Sequence, residues 1–170
     1  MMDVRESFQL VEHSADFQAW KKKNKDVYLS SFFQMVDIRK ESGVQVDFYS
    51  PTTDTITSFV VENGKAILSQ KNAQILKKEH EKIAPLDLDA VTVSREQALH
   101  DVRNIFGERY AQEQPVKFIL ILQQGEQAVW NISAITSAFR VLTVKINAVD
   151  GRILDEDFKP THTGEVGYIC

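Results

Sequence analysis

One supersecondary pattern occurs twice in this chain, and that constrains the fold more than any other feature. In the second copy Ser94-Arg95-Glu96-Gln97 opens a helix. Apolar stretches follow at 116–122, 129–133 and 142–148, closed by Asp150-Gly151-Arg152-Ile153-Leu154. The first copy runs in the same order: a helix near the N-terminus, then 27–36, 44–49 and 56–61, closed by Asn63-Gly64-Lys65-Ala66-Ile67-Leu68. Each copy reads as one helix followed by an antiparallel meander.

The first helix is predicted over 4–23. Asp3 with Glu6 has the form of a capping box, and Val4, Phe8, Val11 and Ala15 recur at helical spacing. Lys21, Lys22, Lys23 and Lys25 fall at its C-terminal end, where they offset the helix dipole. Residues 26–37 fit either a helical face or strand alternation. Laying 27–34 without a gap over 116–123 favours a strand, because the second segment is β-rich and follows Pro115. Val44, Val46 and Phe48 alternate with Gln45, Asp47 and Tyr49 as a half-buried strand. Asn63-Gly64 is a hairpin turn. Ala73, Leu76, His80 and Ile83 share one face of a predicted linker helix over 71–84, stopped by Pro85. A second amphipathic helix is predicted from 94 to about 112, with strands at 116–124, 127–136 and 139–148 and a short edge strand near 152–155.

The predicted fold is therefore α+β: two tandem helix-plus-antiparallel-sheet units of seven or eight strands in total. The predicted divisions are 1–70, a linker helix and boundary over 71–90, a second unit over 91–158, and an irregular tail over 159–170.

The second half resembles a PepSY domain. Val91-Thr92-Val93-Ser94-Arg95-Glu96-Gln97-Ala98 matches the extended lead and helix start. Ala128-Val129-Trp130-Asn131-Ile132 matches the Trp-centred strand, and Ile146-Asn147-Ala148-Val149-Asp150-Gly151-Arg152-Ile153-Leu154 matches the closing motif. The first half is similar only through the repeat, with Val46 standing where Trp130 does. The resemblance implies a cystatin-like shape and a role in peptidase inhibition or protein interaction. It carries no catalytic residues and no cofactor.

The residues themselves add few chemical signals. The chain has 170 residues, a net charge of −4 and one cysteine. A chain of this sign has little means of neutralising phosphates, so no nucleic-acid partner is expected. A single cysteine, Cys170, forms no internal disulfide and reads as a reduced thiol on the tail. The first residues lack the pattern of a signal peptide, and the apolar run 118–122 is far too short to span a bilayer. The expected location is the cytoplasm, with no membrane span. His13, His80, His100 and His162 show no paired metal spacing. Neither a phosphate loop nor a nucleophile elbow is present.

No catalytic, cofactor or metal residue is therefore assigned. The structural or interface candidates are Trp130, Phe33, Phe48, Tyr49 and Phe59, with Trp130 expected in the core. The function expected is a non-catalytic interaction module whose partner is another protein, for instance a peptidase. The alternative is a small-molecule binder or enzyme with a pocket between helix and sheet. A homodimer is also expected. The strand 56–61 reads as a poorly protected edge, and 116–122 is apolar on both faces, so its second face needs the linker helix or another subunit as cover.

Overall fold

The computed structural model describes residues 2–75 and 82–160. Helices α1 (Val4–His13) and α2 (Ala15–Lys23) precede strands β1 (Tyr28–Asp37), β2 (Val44–Ser50), β3 (Thr55–Glu62) and β4 (Lys65–Gln74). A 3-10 turn (Leu88–Ala90) and helix α3 (Arg95–Arg109) lead to β5 (Pro115–Gln124), β6 (Ala128–Thr136), β7 (Arg140–Asn147) and β8 (Ile153–Pro160).

All eight strands form one antiparallel sheet in the order β4-β3-β2-β1-β5-β6-β7-β8. This corrects the predicted pair of helix-plus-sheet units: strand predominates, and the two meanders share a single continuous sheet. The join is the β1–β5 ladder, from Ser31 opposite Gln123 to Asp37 opposite Lys117. Its physical basis is edge protection. β1 and β5 each open a meander and are largely apolar, so two separate sheets would leave both as sticky edges; pairing them removes both at once.

The outer strands carry charges, alongside the exposed apolar side chains of Ile67 and Leu68 on β4 and of Ile153 and Leu154 on β8. Three acids, Asp155, Glu156 and Asp157, lie on β8, which ends at Pro160, while β4 carries Lys65 and Lys71. The stretch 56–61, expected at an edge, is the interior strand β3, covered along its length by β4.

Two further expectations change. The predicted helix over 4–23 is two helices, because Ser14 is extended (φ −72°, ψ 145°) and caps α2. Its Oγ accepts from the Phe17 N–H at 3.2 Å and donates to the Val11 carbonyl at 2.7 Å. The start of the predicted linker helix is strand: β4 runs on to Gln74, with Ala73 opposite Ile56. Residues 82–87 hold no regular element. The middle of that prediction, residues 76–81 with His80, lies outside the described residues, as does most of the expected tail with His162 and Cys170.

The turns follow local chemistry. Asn63 and Gly64 both have positive φ (52° and 74°), the requirement of the tight hairpin joining β3 to β4. After β7, Asn147 Oδ1 accepts the N–H groups of Val149 and Asp150, and Gly151 takes φ 79°. The closing motif is thus a turn. It also anchors the lead to α3, since the Thr92 and Val93 N–H groups both donate to the Ala148 carbonyl.

The helices cover one face of the sheet. Under α1 and α2, the rings of Phe17, Trp20, Phe48 and Phe59 form one cluster with centroids 4.9–5.8 Å apart. On β6 beneath α3, Trp130 lies between Leu122 on β5 and Ile146 on β7, in the same continuous core as Leu99 and Ile132. The Trp130 Nε1–H donates to the Val93 carbonyl at 2.9 Å.

Two arginines fasten the halves together. Arg5 on α1 donates to the carbonyls of Leu88 and Val91. Arg95 at the start of α3 is buried and donates to the Gln34 side chain on β1. Burial lowers the Arg95 pKa against the pull of Glu96, Glu41 and Asp3.

Candidate docking face

The opposite face of the sheet carries no helix among the described residues. Strand alternation sends Phe48, Val46 and Val44 under the helices and turns Gln45, Asp47 and Tyr49 outward from them. The same alternation on β1 buries Phe32 and Val36 and presents Phe33 and Met35 on the helix-free face. On β5 it buries Phe118, Leu120 and Leu122 and presents Ile119 and Ile121. Register then aligns these residues across strands. Gln45, Phe33, Ile121, Asn131 and Lys145 form one row, and Met35, Ile119, Ser133 and Thr143 the next.

The middle of this face is apolar. Phe33, Ile119, Ile121 and Ile135 are half-buried by their neighbours alone, and Met35 is 39% exposed. An eight-stranded antiparallel sheet with one wet face normally alternates apolar with polar. β5 does not: from 118 to 122 it reads Phe-Ile-Leu-Ile-Leu.

Asn131 and Asp47 are among the polar groups set into the face. Asn131 is 6% exposed, and its Oδ1 has no hydrogen-bond partner among the described residues. Asp47 is 8% exposed. Its carboxylate accepts from Ser58 Oγ at 2.5 Å, Gln45 Nε2 at 2.9 Å and Ser31 Oγ at 3.1 Å. Burial nevertheless raises its pKa, the hydrogen bonds from Ser58, Gln45 and Ser31 opposing the shift.

This shift has a consequence for stability. Between the unfolded carboxyl pKa of about 3.9 and the higher folded value, the native state holds more protons than the unfolded one. Stability from this group is therefore full below that window and is lost as pH rises through it. Relative to Asp47→Asn, the wild type will lose stability as pH rises from 4 to 7, measured by urea unfolding at each pH. Parallel curves for the two proteins would show that Asp47 titrates normally.

Asp26 behaves oppositely. The Thr52 side chain and N–H and the Ser50 hydroxyl hold its carboxyl down at about 2, at the exposed end of the β2–β3 turn.

The five residues singled out from the sequence divide between the two faces. Trp130, Phe48 and Phe59 are core residues beneath the helices. Phe33 and Tyr49 lie on the helix-free face, Tyr49 with its ring against Tyr28. Asp47, Asn131, Ile119, Ile121 and Met35 were not singled out. Their signal was the double-sided apolar run of β5, together with the outward positions of β2, which the alternation marks as merely polar.

A small crevice lies between the helices and the sheet. Val4, Phe32, Gln34, Val44, Arg95 and Trp130 line a crevice of about 10 Å³, room for roughly one water molecule. A larger concavity of about 480 Å³ lies on the open surface of α2, lined by Phe17, Gln18, Lys21, Lys22 and Lys25. Among the described residues no cluster of three or more His, Cys, Asp or Glu could hold a metal ion. No helix among them is long and apolar enough to cross a membrane.

No family model and no curated protein matches the chain. Among solved structures it is similar to a protein from Clostridium difficile 630 described as a "putative lipoprotein". The TM-score is 0.54 at 14% identity, over 88% of this chain and 98% of that one. At that identity the likeness concerns the fold alone.

Proposed function

We propose that this chain is a non-catalytic protein-interaction module that docks through the helix-free face of its sheet. The observation that carries this reading is the apolar centre formed by Phe33, Met35, Ile119, Ile121 and Ile135, uncovered among the described residues. A contiguous exposed apolar patch of this kind marks an interaction site. The crevice beneath the helices has no room for a substrate, which weakens the alternative of a binder or enzyme working there.

The PepSY resemblance of residues 91–155 makes a peptidase one partner class to try, and a second copy of the chain is the other. The location follows the partner. Cytoplasm and cell envelope are both locations to test, the second prompted by the description of the Clostridium difficile neighbour. Fractionation of source cells decides between them.

The reading is tested by affinity capture from source cells with wild type, a Phe33→Asp/Ile121→Asp double variant and a Leu68→Asp control. The expected result is a specific partner held by wild type and the control and lost with the double variant. Capture that ignores the double substitution would remove the face from the function. A thermal-shift screen against small metabolites tests the alternative, and a saturable stabilising ligand would favour it.

A further inference from the structure

We infer that the occupant of the helix-free face is a second copy of this chain, packed sheet against sheet. This rests on reading that face as a docking surface, and two observations favour a twin as the partner.

The first is size. From β3 across β2, β1, β5 and β6 to β7 the face spans six strands, roughly 29 Å at ~4.8 Å per strand. Seven residues along β6, 129–135, add roughly 23 Å, so the plan area is about 650 Å² before side-chain relief is counted. Specific interfaces bury roughly 600–1,000 Å² per partner, and this plan area lies at the lower end of that range when two copies cover each other.

The second is charge. The rows through Phe33 and Met35 hold no charged residue on β1, β5 or β6. Apart from Asp47, buried on β2, the charges lie around these three strands, and both signs are there: Lys145 opposite Asp155 on β7 and β8, and Lys117 opposite Asp37 where β5 meets β1. An isologous contact sets a surface against itself, so a rim of one sign would repel its twin. A rim of both signs around a neutral centre permits self-association.

The expected assembly is a two-layer sandwich with the helices outside and the strand directions of the two sheets within about 30° of each other. Sedimentation equilibrium of the full chain over roughly 1 to 100 µM tests it, a range that resolves dimers of micromolar affinity. Wild type should shift from monomer to dimer within or below that range. Met35→Lys, at an already exposed position, and Ile121→Lys, on the half-buried face, should each raise the dimer dissociation constant by at least ~30-fold. Ile153→Lys at the β8 edge should leave it unchanged.

Circular dichroism and thermal melts confirm that each variant is folded; Met35→Lys carries the test should Ile121→Lys fail this check. A wild type that stays monomeric at the top of the range, or a dimer indifferent to both face substitutions, overturns the inference. The docking-face reading then still stands or falls on the capture experiment, whose double variant reports on a different protein partner.

Discussion

Trp130→Ala will lower the free energy of unfolding by about 3–5 kcal/mol, and it will do so within a single transition. The side chain is 1% exposed and belongs to the same continuous core as Leu122, Ile132 and Ile146, and its indole N–H is bonded to the Val93 carbonyl. Truncation opens a cavity that a sheet paired on both sides of β6 cannot collapse to fill, and it orphans a carbonyl in the lead to α3. Urea unfolding followed by circular dichroism gives the magnitude. Its shape tests the architecture. With one sheet and one core, the curve moves to lower urea and keeps its slope. Were the chain two independent units, the weakened C-terminal half would melt first and the curve would split.

Phe59→Ala probes the same coupling from the other end of the molecule. Phe59 is fully buried on β3 and makes ring contacts with Phe17, Trp20 and Phe48. Its loss will also cost about 3–5 kcal/mol. Hydrogen exchange supplies the discriminating readout, because cooperative units open together. Peptides from β5 and β6 will lose protection in this variant nearly as much as peptides from β2 and β3, although neither strand touches residue 59 in the ladder. Protection in β5 and β6 that stays at the wild-type level would mean that the β1–β5 ladder does not couple the halves.

Much of the local structure was readable from residue chemistry. Alternation placed Val44, Val46 and Phe48 on one side of β2, and those side chains are under the helices. Asn63-Gly64 specified its hairpin, and Ser94 caps α3 through the Gln97 N–H at 3.1 Å. The repeat located β1, whose own periodicity was ambiguous. The overlay that did so was nevertheless out of step for most of its length. Ser30 lies at a bulge between Leu29 and Ser31 in the β1–β2 ladder, and beyond a bulge each later side chain changes face. The gapless overlay set Phe33 on Leu122, yet Leu122 is buried beneath the helices and Phe33 is on the opposite face.

Other errors came from patterns that two structures satisfy equally well. Ser14 falls within a stretch of helical spacing that continues on both sides, so only its cap geometry reveals the break between α1 and α2. Lys71, Asn72, Ala73 and Gln74 suit the first turn of an amphipathic helix as well as the end of a strand. The ladder to β3 decides for strand, with Asn72 at φ 52° absorbing the irregularity and its N–H donated to Thr57 Oγ1. Asp47 reads as an ordinary outward polar position, and Asn131 as one member of the Trp-centred strand motif. Their burial arises from neighbours on adjacent strands that are far away in sequence.

The amino-acid sequence by itself determined those properties that depend on residues within a few positions of one another: strand alternation, turn chemistry, helix caps, and the recurrence of one meander after the other. Only the tertiary structure decided how the meanders combine. Antiparallel pairing of β1 with β5 rests on hydrogen bonds between backbone groups nearly identical in every residue, so side-chain pattern specifies it weakly. That pairing hides two apolar edges, merges two cores into one, and assembles Phe33, Ile121 and Asn131 from three strands into a single open face.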